Sequence, residues 1–350
     1  MKKFLILSIG LLLGSQLYAG NPADKLLKQL KKINKKGYMF GHQDDTFYGL
    51  TWEWEYGRSD CKDLVGDYPA VMGFDLGGIE MDDKKNLDSV PFNKIHDEAI
   101  AHYERGGIIT FSWHPRNPLT GGTAWDVTSN LVVKSILKGG PMHAKYQVWL
   151  KRVADFLLTI KDKDGKPVPI IFRPWHENNG SWFWWGQKLC SAEEFKGLWN
   201  MTQDYLYNRG LNNLLFSYSP NLQGDWTMDK YLERYPGDDR VALIGEDAYQ
   251  WGTEADFVKG LSADLDFVEA FAKKHKKLFA LTECGYKNIP DSTWWTRVLK
   301  PIMDKHELLY FLPWRNAKKE YFGPAKGFTG DEDFIKLYNA KNTLFLQDIK

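Results

Sequence analysis

Eight short apolar runs, each closing on a cluster of polar and aromatic residues, constrain this chain more than any other feature. They occupy residues 38–41, 70–74, 108–113, 168–172, 214–218, 241–245, 278–282 and 309–314. Each is near-continuously apolar, the pattern of a strand buried on both faces of a parallel sheet. Amphipathic stretches separate them. Residues 94–105 stop at Gly106-Gly107, a helix-ending pair, and 146–160 place Val148, Val153, Phe156, Leu157 and Ile160 mostly on one face. Ser191-Ala192-Glu193-Glu194 has the form of a capping box opening a helix over 195–207, which ends at Gly210. Residues 262–275 and 293–305 read as further helices, and 59–65 as a short one in the long stretch 41–68. No linker or repeat divides the chain. Eight strand–helix units predict the α/β class and a single (β/α)8 TIM barrel; a doubly wound open sheet is the alternative.

The first residues stand apart. Lys2 and Lys3 precede an apolar run over 4–13, and Leu17-Tyr18-Ala19 ends in a small residue, the layout of a secretory signal peptide. This predicts a leader over 1–19, a barrel domain over 20–350, and export to a periplasm or the medium. No Cys follows the apolar run, so the mature protein is expected to be soluble, without a membrane anchor, and monomeric. Losing Lys2 and Lys3 with the leader moves the formal charge from +1 to −1. Such a chain, lacking a basic run, has no electrostatic footprint for nucleic acid or an acidic membrane. Cys61, Cys190 and Cys284 permit at most one disulfide and form no Cys-x-x-Cys pair, so no zinc framework is expected. The 15 Trp, 17 Tyr and 20 Phe exceed what a core of this length needs, and flat aromatic faces suit the apolar faces of sugar rings.

In a TIM barrel, catalytic groups sit at the C-terminal ends of strands. The residues just past the runs include His42, Asp75, His114, Arg173, His176, Glu177, Asn221, Asp247, Tyr249, Glu283 and Arg315. Glu177 and Glu283, after the fourth and seventh runs, are the pair that glycosidic hydrolysis needs: one acid for the leaving oxygen and one carboxylate across the anomeric carbon. Trp175, Trp182, Phe183, Trp184 and Trp185 crowd Glu177 in sequence, and desolvation favours its protonated form. Glu283 then has to stay ionised, and a separation of ~5–5.5 Å from Glu177 would make it the nucleophile of a retaining route. Arg173 could supply positive charge in the same mouth, and Tyr249 a hydrogen bond to the nucleophile. A metal hydrolase built on His42, His114 and His176 is the alternative from ligand types, and a non-catalytic oligosaccharide-binding protein the alternative from another class.

The segment Arg173-Pro174-Trp175-His176-Glu177-Asn178-Asn179-Gly180-Ser181-Trp182-Phe183-Trp184-Trp185-Gly186 resembles the acid/base motif of glycoside hydrolase family 26. Thr282-Glu283-Cys284-Gly285 resembles its nucleophile segment, and Ser112-Trp113-His114, Asp247-Ala248-Tyr249 and Trp314-Arg315-Asn316 extend the likeness over most of the chain. The best-known members are β-1,4-mannanases with a TIM-barrel fold. The resemblance therefore implies a retaining enzyme that cleaves β-mannan or manno-oligosaccharides, and chemistry of that kind requires no cofactor or metal. It implies Glu177 as acid/base and Glu283 as nucleophile, with His176 and Tyr249 on the nucleophile or the sugar at the cleavage point. It also implies His114 and Trp182 on sugar near that point, and Asp247, Trp314 and Arg315 in substrate binding, Asp247 and Arg315 on the non-reducing side. Trp125 is a further candidate platform. The family also contains other β-glycanases, so β-glucan and β-xylan are the alternative substrates. Internal cutting and release of mannobiose from chain ends are both open.

Overall fold

All eight apolar runs form strands. A computed structural model of the protein describes residues 20–222 and 226–350; the leader expected over 1–19 lies outside the described residues. The strands are β1 (Tyr38–Gln43), β2 (Val71–Asp75), β3 (Ile108–Trp113), β4 (Ile170–Pro174), β5 (Leu214–Tyr218), β6 (Leu243–Tyr249), β7 (Leu278–Gly285) and β8 (Tyr310–Pro313). Each pairs in parallel with the next, and β8 pairs with β1, which closes the barrel and excludes the open sheet. A short ninth strand, β9 (Thr343–Leu344), adds to β1.

The helices are α1 (Pro22–Ile33), α2 (Asp60–Val65), α3 (Phe92–Glu104), α4 (Val132–Ile136), α5 (His143–Thr159), α6 (Ala192–Asn208), α7 (Met228–Arg234), α8 (Glu254–His275), α9 (Lys300–Met303) and α10 (Asp331–Tyr338). The Ser191/Glu194 capping box opens α6 as its spacing predicts. Two expectations need correction. The helix expected from residue 262 begins at Glu254, because the Thr253 hydroxyl caps the backbone N–H of Asp256 and α8 runs straight through Gly260. The helix expected over 293–305 is a π-helical segment, Trp294–Leu299, leading into α9; Pro301 there has no N–H to donate to the preceding turn.

Alternation along the strands makes two apolar layers. Phe40, Met72, Phe111, Phe172, Phe216, Ile244, Leu281 and Phe311 belong to the layer between barrel and helices. Met39, Val71, Ile171, Leu215, Leu243, Ala280 and Leu312 fill the lower barrel together with Ala23, Leu26, Leu30 and Ile33 of α1. Helix α1 had no counterpart in the sequence reading, although Asn21 caps it and Pro22 begins it. It is the floor: burying Leu26, Leu30 and Ile33 against the strand starts contributes up to about 1.5–3 kcal/mol each. Above this apolar plug the interior turns polar, with Thr110, Ser112, Arg173, Ser217, Ser219, Asp247 and Thr282 all buried. That polar layer carries the site.

Candidate active site

A cavity of about 870 Å³ opens over the C-terminal ends of the strands, and both Glu177 and Glu283 line it. Regular alternation on β7 would send residues 280 and 282 inward and 283 outward. The register with β6 shifts instead: Glu246 pairs with Leu281, and Asp247 with Glu283. Thr282 is the extra residue of a bulge, which turns Glu283 to the inner face and leaves Cys284 in the outer apolar layer.

Glu283 is held from two sides. Arg173 Nη2 donates to its Oε2 at 2.5 Å, and the Tyr249 hydroxyl to its Oε1 at 2.5 Å. Burial and the adjacent carboxylate push the Tyr249 phenol well up, so it stays a neutral donor. Arg173, 3% exposed, is fixed in turn by Asp247, whose Oδ2 accepts from Nη1 at 2.6 Å and whose Oδ1 accepts from the Thr282 hydroxyl at 2.6 Å. The buried guanidinium thus serves two carboxylates, and its charge is matched locally.

Among the described residues no cation pairs directly with Glu177, and Arg173 pulls its carboxyl down only weakly from a distance. The Glu177 Oε2 accepts from Trp182 Nε1 at 2.6 Å and its Oε1 from Asn221 Nδ2 at 3.2 Å. Burial first, then the charge of Glu283, raises this carboxyl from its ordinary 4.5 to about 7. The backbone is held with equal care: Trp175 and Glu177 both have positive φ, 56° and 49°, a conformation costing roughly 1–3 kcal/mol each. The Glu177 N–H donates to Ser219 O at 2.7 Å, while Asn179 and Asn221 exchange side-chain and backbone hydrogen bonds. These ties lock the loop after β4 to the loop after β5. Of the five aromatics that crowd Glu177 in sequence, only Trp182 bonds to it. Trp175, Trp184 and Trp185 pack underneath, with Trp185 Nε1 donating to His176 O at 2.8 Å.

Several expected contacts fall elsewhere. His176 does not reach Glu283 or line the cavity; its Nε2 lies 2.9 Å from His114 Nε2. His114 Nδ1 donates to Asp75 Oδ2 at 2.7 Å, so both of its nitrogens are engaged. It offers the cavity a ring surface, stacked on Trp125 with centroids 5.4 Å apart, rather than a hydrogen bond. Burial and the Arg173 charge push His176 well down, so it is the neutral member of the pair. Asp247, expected on a sugar, is fully buried beneath the cavity because Arg173 and Thr282 take both its oxygens. Arg315 does line the cavity, ion-paired with Asp88 at 2.9 Å, and Trp314 lines it beside Trp182 and the half-exposed Trp125. His42 is engaged by Asp45 at 2.6 Å, apart from the other two histidines. Among the described residues no three His, Cys, Asp or Glu side chains are grouped to hold a metal. All three cysteines are free and buried. Asn221 carried no signal beyond its place after β5, and Asp88, in the long loop after β2, carried none; both were missed as functional.

This geometry sits in recognisable company. The profile of glycosyl hydrolase family 26 matches residues 17–336. The chain belongs to glycosyl hydrolase family 26. The mannan endo-1,4-β-mannosidase of Bifidobacterium adolescentis is 35% identical over 276 residues, covering 74% of this chain and 26% of that longer protein, so the chain spans about a quarter of that relative. A family 26 β-mannanase from Bacteroides ovatus superposes with a TM-score of 0.91 at 48% identity, over 93% of this chain and 95% of the other. The catalytic domain of a Bacillus endo-β-1,4-mannanase gives 0.86 at 30% identity, over 94% and 93%. Among the described residues, no helix of this family 26 protein is long and apolar enough to cross a membrane.

Proposed function

We propose that this family 26 member is an exported, monomeric enzyme that hydrolyses β-1,4-mannosidic bonds in mannan or manno-oligosaccharides by double displacement. One observation carries the chemistry: two carboxylates face one cavity, Glu177 raised to about 7 by burial and the Glu283 charge, Glu283 gripped by Arg173 and Tyr249. The Glu177 proton passes to the glycosidic oxygen as the C1–O bond breaks. Glu283 bonds to C1 from the opposite face, giving a glycosyl-enzyme. Glu177, now ionised, takes a proton from water as its oxygen attacks C1, and Glu283 leaves as a carboxylate. No cofactor enters. Mannan as the substrate rests on the names of the relatives, and the same carboxylates suit other β-glycans.

Asp88 and Arg315 pair at the cavity lining, and two further contacts, Lys318 to Glu53 at 2.8 Å and Asn316 to Asp60 at 2.8 Å, tie the chain after β8 to the stretch after β1. They join the loops after β1, β2 and β8 into a wall. This favours release of short products, such as mannobiose from chain ends, over random internal cutting. A time course of products from mannohexaose, with wild type beside Glu177→Ala and Glu283→Ala, tests both points. Cleavage by the wild type alone, with disaccharide dominant from the first minutes, is expected. Cleavage of pure glucan or xylan but not mannohexaose would move the substrate; near-normal turnover by either variant would remove the carboxylate assignment.

A further inference from the structure

Asp75, at the end of β2, is fully buried and takes no part in the chemistry above. Every hydrogen bond it makes comes from a donor. Its Oδ1 accepts from the Gly77 N–H at 2.7 Å and the His114 N–H at 3.4 Å, and its Oδ2 from the Ser112 hydroxyl at 2.6 Å and His114 Nδ1 at 2.7 Å. Four donors, two of them at short range on one oxygen, fit an ionised carboxylate. A buried carboxylate needs a counter-charge, and among the described residues no Lys or Arg pairs with Asp75. Arg173 cannot serve, because Asp247 and Glu283 share it. His114 is the group left to carry the charge.

As an imidazolium, His114 donates Nδ1–H to Asp75 and Nε2–H to His176 Nε2, 2.9 Å away. Trp125 lies over the ring with planes 14° apart, a face that attracts a cation. Burial alone would lower His114 and raise Asp75; their attraction outweighs it, leaving His114 above and Asp75 below the ordinary values. The charged and titratable groups around His114 are Asp75 and Asp88 from β2 and its loop, Arg173 and His176 from β4, and Glu283 from β7. Glu283 lines the same cavity as His114.

We propose that Asp75 is a positioning residue that keeps His114 an imidazolium, and that this cation speeds the second chemical step, the departure of Glu283 from the glycosyl-enzyme. The proposal rests on the double-displacement reading. In that step the bond from C1 to Glu283 breaks and its electron pair leaves on the carboxylate, so a fixed cation nearby stabilises the charge as it forms. In the first step Glu283 gives charge up, and the cation brings no gain there.

The test uses a dinitrophenyl β-mannobioside, whose leaving group needs no acid, so that the second step limits turnover. Asp75→Asn keeps the size of the side chain. His114 can then accept at Nδ1 from the amide while still donating Nε2–H to His176, so the ring turns neutral in place. The kcat should fall about tenfold, ~1.4 kcal/mol, KM should fall with it, and a covalent mannobiosyl adduct should build up in the mass of the quenched protein. A loss of kcat with KM unchanged or raised and no adduct is what a merely structural role would give, and it would overturn the proposal, as would an unchanged kcat. Nitrogen NMR of the wild-type histidines decides the case should the variant not fold: at neutral pH both His114 ring nitrogens should carry protons, and a neutral ring would overturn the proposal. Glu177→Ala, which lacks the base of the second step, should trap the same adduct. If it does not, the double-displacement reading itself has failed; adduct there but none with Asp75→Asn defeats the role of Asp75 alone.

Discussion

Replacing Trp182 by Phe removes one hydrogen bond from Glu177 and keeps an aromatic ring beside Phe183, whose centroid is 6.4 Å away. The 2.6 Å bond from Trp182 Nε1 is the larger of two side-chain donations holding the carboxylate form down, against burial and the Glu283 charge, which together raise the group to about 7. A hydrogen bond to a charged group is worth about 1.5–3 kcal/mol, and part of it survives when the acid is neutral. A difference of ~1.4 kcal/mol between the two forms is one pKa unit. Loss of the bond favours the protonated form, so the pKa rises, from about 7 toward about 8. The assay is kcat/KM for a short manno-oligosaccharide across pH 4–10, because that parameter reports groups of the free enzyme. The alkaline limb should move up by about one unit while the acid limb stays in place. An unmoved limb, or one that moves down, would refute Glu177 as the acid or the balance of forces given for it.

Further outcomes can be checked separately. Glu177→Ala should cost about 10²–10⁴-fold on a natural oligosaccharide but far less on a glycoside whose phenolate leaving group needs no protonation; equal losses on both would point away from acid catalysis. Tyr249→Phe, which deletes the 2.5 Å bond to Glu283, should lower kcat/KM about tenfold, ~1.4 kcal/mol, with the melting temperature preserved. His102 is fully buried and titrates near about 3 in the fold, against about 6.5 unfolded. The unfolded chain therefore binds the extra proton, and this contribution is complete above pH 6.5 and lost as pH falls toward 3, by about 5 kcal/mol at the limit. His102→Gln should flatten the loss of stability between pH 6.5 and 4, measured by urea midpoints. Gly37→Ala would set a Cβ 2.2 Å from the Asn342 carbonyl oxygen, a backbone atom beside the β1–β9 pair; the urea midpoint should fall by the equivalent of about 1–3 kcal/mol.

Most of the architecture was legible because buried parallel strands write themselves as apolar runs, and their polar tails mark the open end of the barrel. Strand ends blurred where polar residues continue the ladder, as on β6, which runs on to Tyr249. The carboxylates were legible as residue types at strand ends. Their partners were not. Counting by twos along β7 puts Glu283 on the outer face, and only the bulge at Thr282 corrects it. Asp247 and His176 look like surface ligands in a motif, yet each satisfies a buried neighbour, Arg173 and His114, that lies 74 and 62 positions away. Asn221 reaches Glu177 because Asn179 fastens two loops together, a tertiary fact with no local signature. The start of α8 was lost to Gly260, which discourages a helix locally and is tolerated because the residues around it are held by the core.

The floor helix has a consequence for how this enzyme can be attached to anything. Helix α1 and the final residues, Leu344 and Ile349, pack into one cluster at the base of the barrel, and Lys36 reaches the carbonyl of Asp348 at 3.1 Å. Both ends of the folded barrel therefore emerge on the side away from the cleft. A partner domain, a surface tether or an affinity handle joined at either end would hang beneath the catalyst like a stalk, leaving the whole upper face unobstructed.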